Sequence, residues 1–132
     1  MPWVVDASAV VALLRDETGA DRVVELLEAE PAPLATAGFI STVNLAEVHQ
    51  HLGPHLPDGF VGAQGLLFVA DFTVEHALAV AEMYEATRAI GLSLADRACL
   101  ALAKTLGVPA MTADRDWAQV AQVVGVDVEL IR

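Results

Sequence analysis

The stretch that decides the fold is Trp3-Val4-Val5-Asp6-Ala7-Ser8-Ala9-Val10-Val11-Ala12-Leu13-Leu14. Trp3-Val4-Val5, β-branched and preceded by Pro2, reads as a short buried strand. Ala7 to Leu14 reads as a helix that stops near Arg15-Asp16. One acid, Asp6, stands directly after the strand. In parallel α/β sheets, ligands bind beyond the carboxyl ends of strands, so this is where chemistry usually sits.

The same alternation continues outward. Helices are expected over Thr18–Glu30 and Thr42–Leu52, closed by Pro31 and by Gly53-Pro54. A strand is expected over Leu34–Ile40, with Gly38 as a disturbance, and a helix over Pro57–Leu67. Val69–Thr73 reads as a strand. Val74–Ala89 reads as a helix whose apolar face carries Val74, Leu78, Ala81 and Tyr84, with Glu75, Glu82 and Glu85 on the other side. A helix over Ser93–Leu106, a strand over Val108–Thr112, a helix over Arg115–Val124 and a strand over Val126–Ile131 complete the chain. Short strands separated by helices imply a mostly parallel sheet covered on both faces, in a single α/β domain spanning 1–132.

Composition narrows the function. The chain has 132 residues, 55% of them hydrophobic, enough for one core without disulfide staples. Apolar runs are interrupted by charged or polar residues, so no membrane span is expected. The single cysteine, Cys99, excludes an internal disulfide and a cysteine-based zinc site. That, with an N-terminus lacking a basic leader, leads us to expect a cytoplasmic protein. Eighteen acids against seven Lys and Arg give a formal charge of −11. A broad electrostatic grip on nucleic acid is therefore a poor expectation. A basic protein partner or a cation suits this charge better.

Four acids stand out. Asp6 and Asp114 follow strands, Asp96 lies in the first turn of a helix, and Glu47 interrupts the apolar run Val43–Val48. Each has an ordinary alternative: Ser93-Leu94-Ala95-Asp96 matches a capping box, Asn44-Leu45-Ala46-Glu47 is a weaker relative of it, and Asp6 and Asp114 can cap helices. If the four converge, mutual repulsion demands a cation, and hard oxygen ligands select magnesium or manganese over zinc. Such an ion can activate water against a phosphodiester. Ser8 and Thr112 are placed to orient a carboxylate or a bound water.

The segments VVDASAVVALL, ISTVNLAEV, LSLADRACLALA and MTADRDW resemble, in order and spacing, the four signature segments of the PIN-domain ribonucleases, in particular the VapC-type toxins of bacterial toxin–antitoxin pairs. The resemblance implies a three-layer α/β/α fold. It implies that Asp6, Glu47, Asp96 and Asp114 are the catalytic acids and that Asp6, Asp96 and Asp114 hold Mg2+ or Mn2+. Ser8 and Thr112 stand at the family's hydroxyl positions, and Asp116 is an accessory candidate. It further implies an RNA substrate, a homodimer, and a cognate antitoxin whose tail enters the active-site groove.

Other features carry less. Arg97 and Arg115 follow candidate acids and are candidates either for a scissile phosphate or for local charge balance. His49, His51 and His55 lack the spacing of a zinc site, because residues two apart on a helix do not face each other and Gly53-Pro54 interrupts the next step. Two rival functions remain. One is an aspartyl-nucleophile phosphatase using Asp6, disfavoured because Ser8 occupies the place of that class's second Asp. The other is an inactive, partner-binding scaffold.

Overall fold

A computed structural model describes residues 2–29, 37–57, 59–60 and 66–132. Five parallel strands form one sheet: β1 (Trp3–Val5), β2 (Gly38–Ser41), β3 (Leu67–Ala70), β4 (Ala110–Thr112) and β5 (Val128–Leu130). Their order is β3-β2-β1-β4-β5. The chain steps outward from β1 to β3, then returns to lay β4 on the other side of β1. The strand order therefore reverses between β1 and β4, which is the switch point at which open parallel sheets hold ligands.

Adjacent residues of each short strand serve opposite faces, because successive side chains alternate across a sheet. Val4 and Ala110 pack into one core with Ala98–Ala103, Val80, Met83 and Trp117. Val5 and Met111 pack into the other with Val10, Val23, Leu27 and Val48. The first core lies under α4 (Val74–Glu82), α5 (Tyr84–Thr87), α6 (Leu94–Leu106) and α7 (Ala121–Val124). The second lies under α1 (Ala7–Leu14), α2 (Ala20–Glu28) and α3 (Thr42–Leu52). Helices on both faces of a parallel sheet make the three-layer α/β/α architecture. Each fully buried Val or Leu adds roughly 1.5–3 kcal/mol to it. Among the described residues no helix is long and apolar enough to cross a membrane.

Several expectations need correction. Gly38 does not disturb β2; it opens the strand, and a Cβ there would lie 2.6 Å from Leu67 Cδ2. Close packing of β2 against its neighbours requires the glycine. The third strand lies at Leu67–Ala70, two residues before the expected start. The expected helix over 57–67 falls largely on 58 and 61–65, outside the described residues, as do 34–36 of the expected second strand and residue 30 of the second helix. The last helix is a 3-10 turn over Arg115–Gln119 followed by α7.

The largest error concerns Val74–Ala89. The buried stripe is His76, Val80, Met83 and Thr87, whereas Val74 and Leu78 are exposed. Two stripes with apolar residues share this helix, and periodicity alone does not say which one turns inward, here onto α6. The helix also breaks at Met83. Thr87 Oγ1 donates to the Met83 carbonyl at 2.7 Å, and such back-bonding by a buried threonine bends helices.

Candidate active site

Asp6 leaves β1 and caps α1. It is nearly wholly buried, and its Oδ2 accepts from Ser8 Oγ at 2.6 Å, Thr112 Oγ1 at 2.9 Å and the Ser8 backbone N–H at 3.4 Å. The hydroxyls are themselves fixed from β4: Ser8 Oγ accepts from Ala113 N–H at 2.9 Å and Thr112 Oγ1 from Asp114 N–H at 3.0 Å. Each hydroxyl has one hydrogen, and both are given to Asp6. The 3.2 Å approach of Ser8 Oγ to Thr112 Oγ1 is thus a close contact with no proton left to share. Donors aimed at a carboxylate favour its charged form, yet burial outweighs them. Asp6 is pushed up to about 6 by desolvation, opposed by the two hydroxyls and reinforced by the charges of Asp96 and Glu47.

Three further acids share its surroundings. Asp6, Ser8, Glu47, Asp96 and Asp114 line one cleft of about 350 Å³ beyond the carboxyl ends of β1 and β4. The capping alternative is also realised. Asp96 Oδ2 accepts from Ser93 N–H at 2.9 Å in a full capping box at the start of α6, and Asp114 Oδ1 accepts from Asp116 N–H at 2.9 Å. A cap uses one carboxylate oxygen and leaves the other for a ligand, so the two roles are compatible. Among the described residues, Asp6 Oδ1 has no protein donor either.

Glu47 is held differently. Asn44, fully buried, donates through Nδ2 to Glu47 Oε1 and to the Ala95 carbonyl, both at 3.0 Å. It ties α3 to the first turn of α6, one residue before Asp96. In the sequence Asn44 reads only as the start of a weak capping motif; its place in the buried stripe Asn44, Val48 and Leu52 of α3 is the signal that it bridges to α6.

Thr112 lies beneath the cleft, in hydrogen-bond contact with Asp6. Asp116 is not among the lining residues; it is exposed and takes a hydrogen bond from Gln119. Arg97 does not reach the cleft. It donates to the Val80 carbonyl at 3.0 Å and lies 5.3 Å over the Tyr84 ring, joining α6 to α4. Arg115 is exposed outside the cleft. His49, His51 and His55 are exposed near the end of α3, and His51 lines the cleft wall. Cys99 is buried behind the acids; burial, then the charges of Asp6, Asp96 and Glu47, push its thiol well up, so it stays protonated and unreactive.

The donor set is all carboxylate oxygen, which suits a hard divalent cation. Among the described residues no three His, Cys, Asp or Glu side chains close into a ready cage for a bare ion. Magnesium dehydrates reluctantly and takes one or two carboxylates while keeping its waters, so an open acid-lined cleft fits it. A buried carboxylate with a raised pKa sits in a cleft whose lining carries five carboxylates against two arginines, an excess of negative charge.

Comparison with known proteins gives the family. The PIN domain family profile matches residues 3–123. The chain belongs to the PIN domain family. No curated protein matches it by sequence. Solved structures share the PIN fold over nearly the whole chain. The FitAcB structure from Neisseria gonorrhoeae is 18% identical, with a TM-score of 0.70, covering 97% of this chain and 96% of that one. A toxin–antitoxin complex from Klebsiella pneumoniae is 17% identical, with a TM-score of 0.71 and 98% of each chain covered. VapC20 from Mycobacterium tuberculosis, a toxin that cleaves the sarcin–ricin loop, is 18% identical, with a TM-score of 0.66, covering 89% of this chain and 93% of that one.

Proposed function

We propose that this PIN domain is a divalent-metal-dependent endoribonuclease, the toxin of a toxin–antitoxin pair. The observation that carries the reading is Asp6: a buried carboxylate raised to about 6, clamped by two hydroxyls at the strand-order reversal, with Glu47, Asp96 and Asp114 around the same cleft. Asp6, Asp96 and Asp114 would hold Mg2+ or Mn2+. The bound metal supplies a nucleophilic water at neutral pH and charge stabilisation for phosphodiester cleavage.

The chain's own groups do the rest. Ser8 and Thr112 fix Asp6 through Oδ2 and so orient its other oxygen into the cleft. The caps at Asp96 and Asp114 fix those carboxylates to backbone N–H groups. Asn44 holds Glu47 on the α3 wall, where it completes the ring of negative charge. Partners follow from charge and kinship: a cognate antitoxin presenting Arg or Lys to this cleft, and a second copy of the chain in a homodimer. Its place would be the cytoplasm.

The test is cleavage of a structured RNA with Mn2+ by the wild type, Asp6→Asn and Asp96→Asn, each checked for folding by circular dichroism. Metal-dependent cleavage lost in both variants supports the assignment. Equal cleavage by all three, or cleavage persisting in EDTA, rejects it. Trapping with beryllofluoride addresses the phosphatase alternative, because only an aspartyl-phosphate enzyme would take it up as a phosphoryl mimic.

A further inference from the structure

Seven Lys and Arg residues serve a chain of formal charge −11, so the position of each is informative. Arg22 pairs with Glu25 and Glu129, and Arg88 with Glu85. Arg97 is spent on the Val80 carbonyl and the Tyr84 ring. Lys104 sits in the last turn of α6, at the far end of the helix from Asp96. Arg115 is exposed outside the cleft. The remaining two, Arg15 and Arg132, both line the acid cleft.

These two are held in place. Arg15 caps the carboxyl end of α1, and its Nη2 donates to the His51 carbonyl at 2.8 Å. Arg132 follows β5; its Nη1 donates to the Thr18 carbonyl at 2.9 Å and lies 3.6 Å from Glu17 Oε1. The turn between them is specialised. Asp16 has φ 52, the one positive value outside glycine among the described residues, and Gly19 has φ 101. A Cβ on Gly19 would lie 2.8 Å from the Ile131 carbonyl oxygen, so the turn can pack against the end of β5 only with glycine there. This brings Thr18 to Arg132, and Arg15 and Arg132 both line the cleft with their anchors outside the acids. A guanidinium has five N–H donors, and each group commits only a minority of them to these anchors.

We infer that Arg15 and Arg132, with His51 beside them, form a phosphate-binding lip that receives backbone phosphates of single-stranded RNA flanking the scissile linkage. This rests on the nuclease reading of the same cleft. An acidic protein repels RNA at long range, so contact needs cations at the point of use. Anchored arginines lose little freedom on binding, and their planar forks match phosphate oxygens. Glu17 holds Arg132 in the absence of substrate, and an incoming phosphate takes its place.

The experiment uses the full chain carrying Asp96→Asn to suppress cleavage, with Mn2+ present. Anisotropy of a labelled single-stranded RNA is followed against KCl. Arg15→Gln and Arg132→Gln are each expected to weaken binding about three- to tenfold and to flatten the slope of log K against log salt by about 0.7. Arg15→Lys restores the slope but not the full affinity. Arg22→Gln, whose partners lie outside the cleft, changes neither quantity. With Asp96 intact, Mn2+ affinity by electron paramagnetic resonance and the melting temperature stay at the wild-type values in the arginine variants. If the wild type cleaves RNA while both glutamine variants keep the parent slope, the lip is refuted and the nuclease reading stands. A folded wild type that neither binds nor cleaves RNA with Mn2+ refutes both. Unchanged RNA affinity with altered affinity for a cationic peptide gives the lip to a protein partner and overturns the assignment.

Discussion

At the β1–β4 junction polar groups are buried, and along α4 apolar groups are exposed. Asp6 and Thr112 are 4% and 0% exposed, whereas Val74 and Leu78 are 78% and 62% exposed. Both regions invert the usual match of polarity with solvent, but the inversions differ in kind. At the junction each buried group has named partners: Ser8, Thr112, Ala113 N–H and Asp114 N–H form one connected network around Asp6. What is left uncompensated there is charge, not hydrogen bonding, and the proposed cation would compensate it. On α4 the exposed stripe is simply the second of two faces carrying apolar residues, and α6 took the other. A buried polar cluster at a strand-order reversal is therefore specific evidence of chemistry; an exposed apolar stripe is not.

The sharpest way to break this contrast is Asp6→Asn. Asparagine keeps the cap and offers its carbonyl to Ser8 and Thr112, but removes the desolvated charge. Metal-dependent RNA cleavage should fall by a factor on the order of 10²–10³, as when one preorganised electrostatic group is lost. The metal-free fold should meanwhile become more stable at neutral pH. Asp6 has a folded pKa of about 6, above its ordinary 3.8. The folded state thus holds this proton more tightly than the unfolded chain. That contribution is fully present below pH 3.8 and is lost as pH rises through 6. Relative to Asp6→Asn, the wild type should lose about 2–3 kcal/mol between pH 4 and 7. Urea melts across that range in EDTA measure it. A flat difference would mean the carboxylate is not desolvated in the folded protein. Mn2+ should restore stability to the wild type and not to the variant.

Next in size is the Asn44 bridge. Asn44→Leu removes both hydrogen bonds and eliminates the unpartnered, buried Asn44 Oδ1. Losing a donor to the half-buried Glu47 while deleting an unsatisfied acceptor leaves stability within about 1 kcal/mol. Cleavage should drop about 10–100-fold, the scale on which groups that orient a metal site act. A thermal melt and a cleavage assay on the same preparation separate the two. A large loss of stability with unchanged cleavage would make Asn44 part of the core and not of the site.

The two regions also explain what was legible in the sequence. The β1–α1 corner is written in adjacent residues: a β-branched strand, an acid, then a helix, with Ser8 two positions on. The four acids could be picked out because each lies at a helix start or interrupts an apolar run, and their partners are mostly local. The cross-chain contacts were not legible. Nothing near Arg15 in the chain announces the His51 carbonyl, and nothing near Arg132 announces Thr18. Gly38 was misjudged for the same reason, since its need is set by Leu67 and Leu27, which reach it through space. Gly38→Ala should cost about 1–3 kcal/mol through overpacking, with cleavage unaffected in the fraction that stays folded.

The smallest effects belong to α4, where the inward and outward stripes make a paired control. Val80 is buried against α6 and should cost about 1–3 kcal/mol when cut to alanine. Leu78, two residues away on the solvent side, should tolerate lysine within about 0.5 kcal/mol, because no packed neighbour or buried partner is disturbed. Chemical denaturation at a protein concentration low enough to hold the chain monomeric isolates these terms. The sequence alone assigns the opposite ranking, since it places Leu78 on the core face. A Leu78→Lys cost matching that of Val80→Ala would mean α4 is rotated about its axis. Its contact with Arg97 through the Val80 carbonyl would then be wrong too, and Arg97 would be released as a candidate for the cleft.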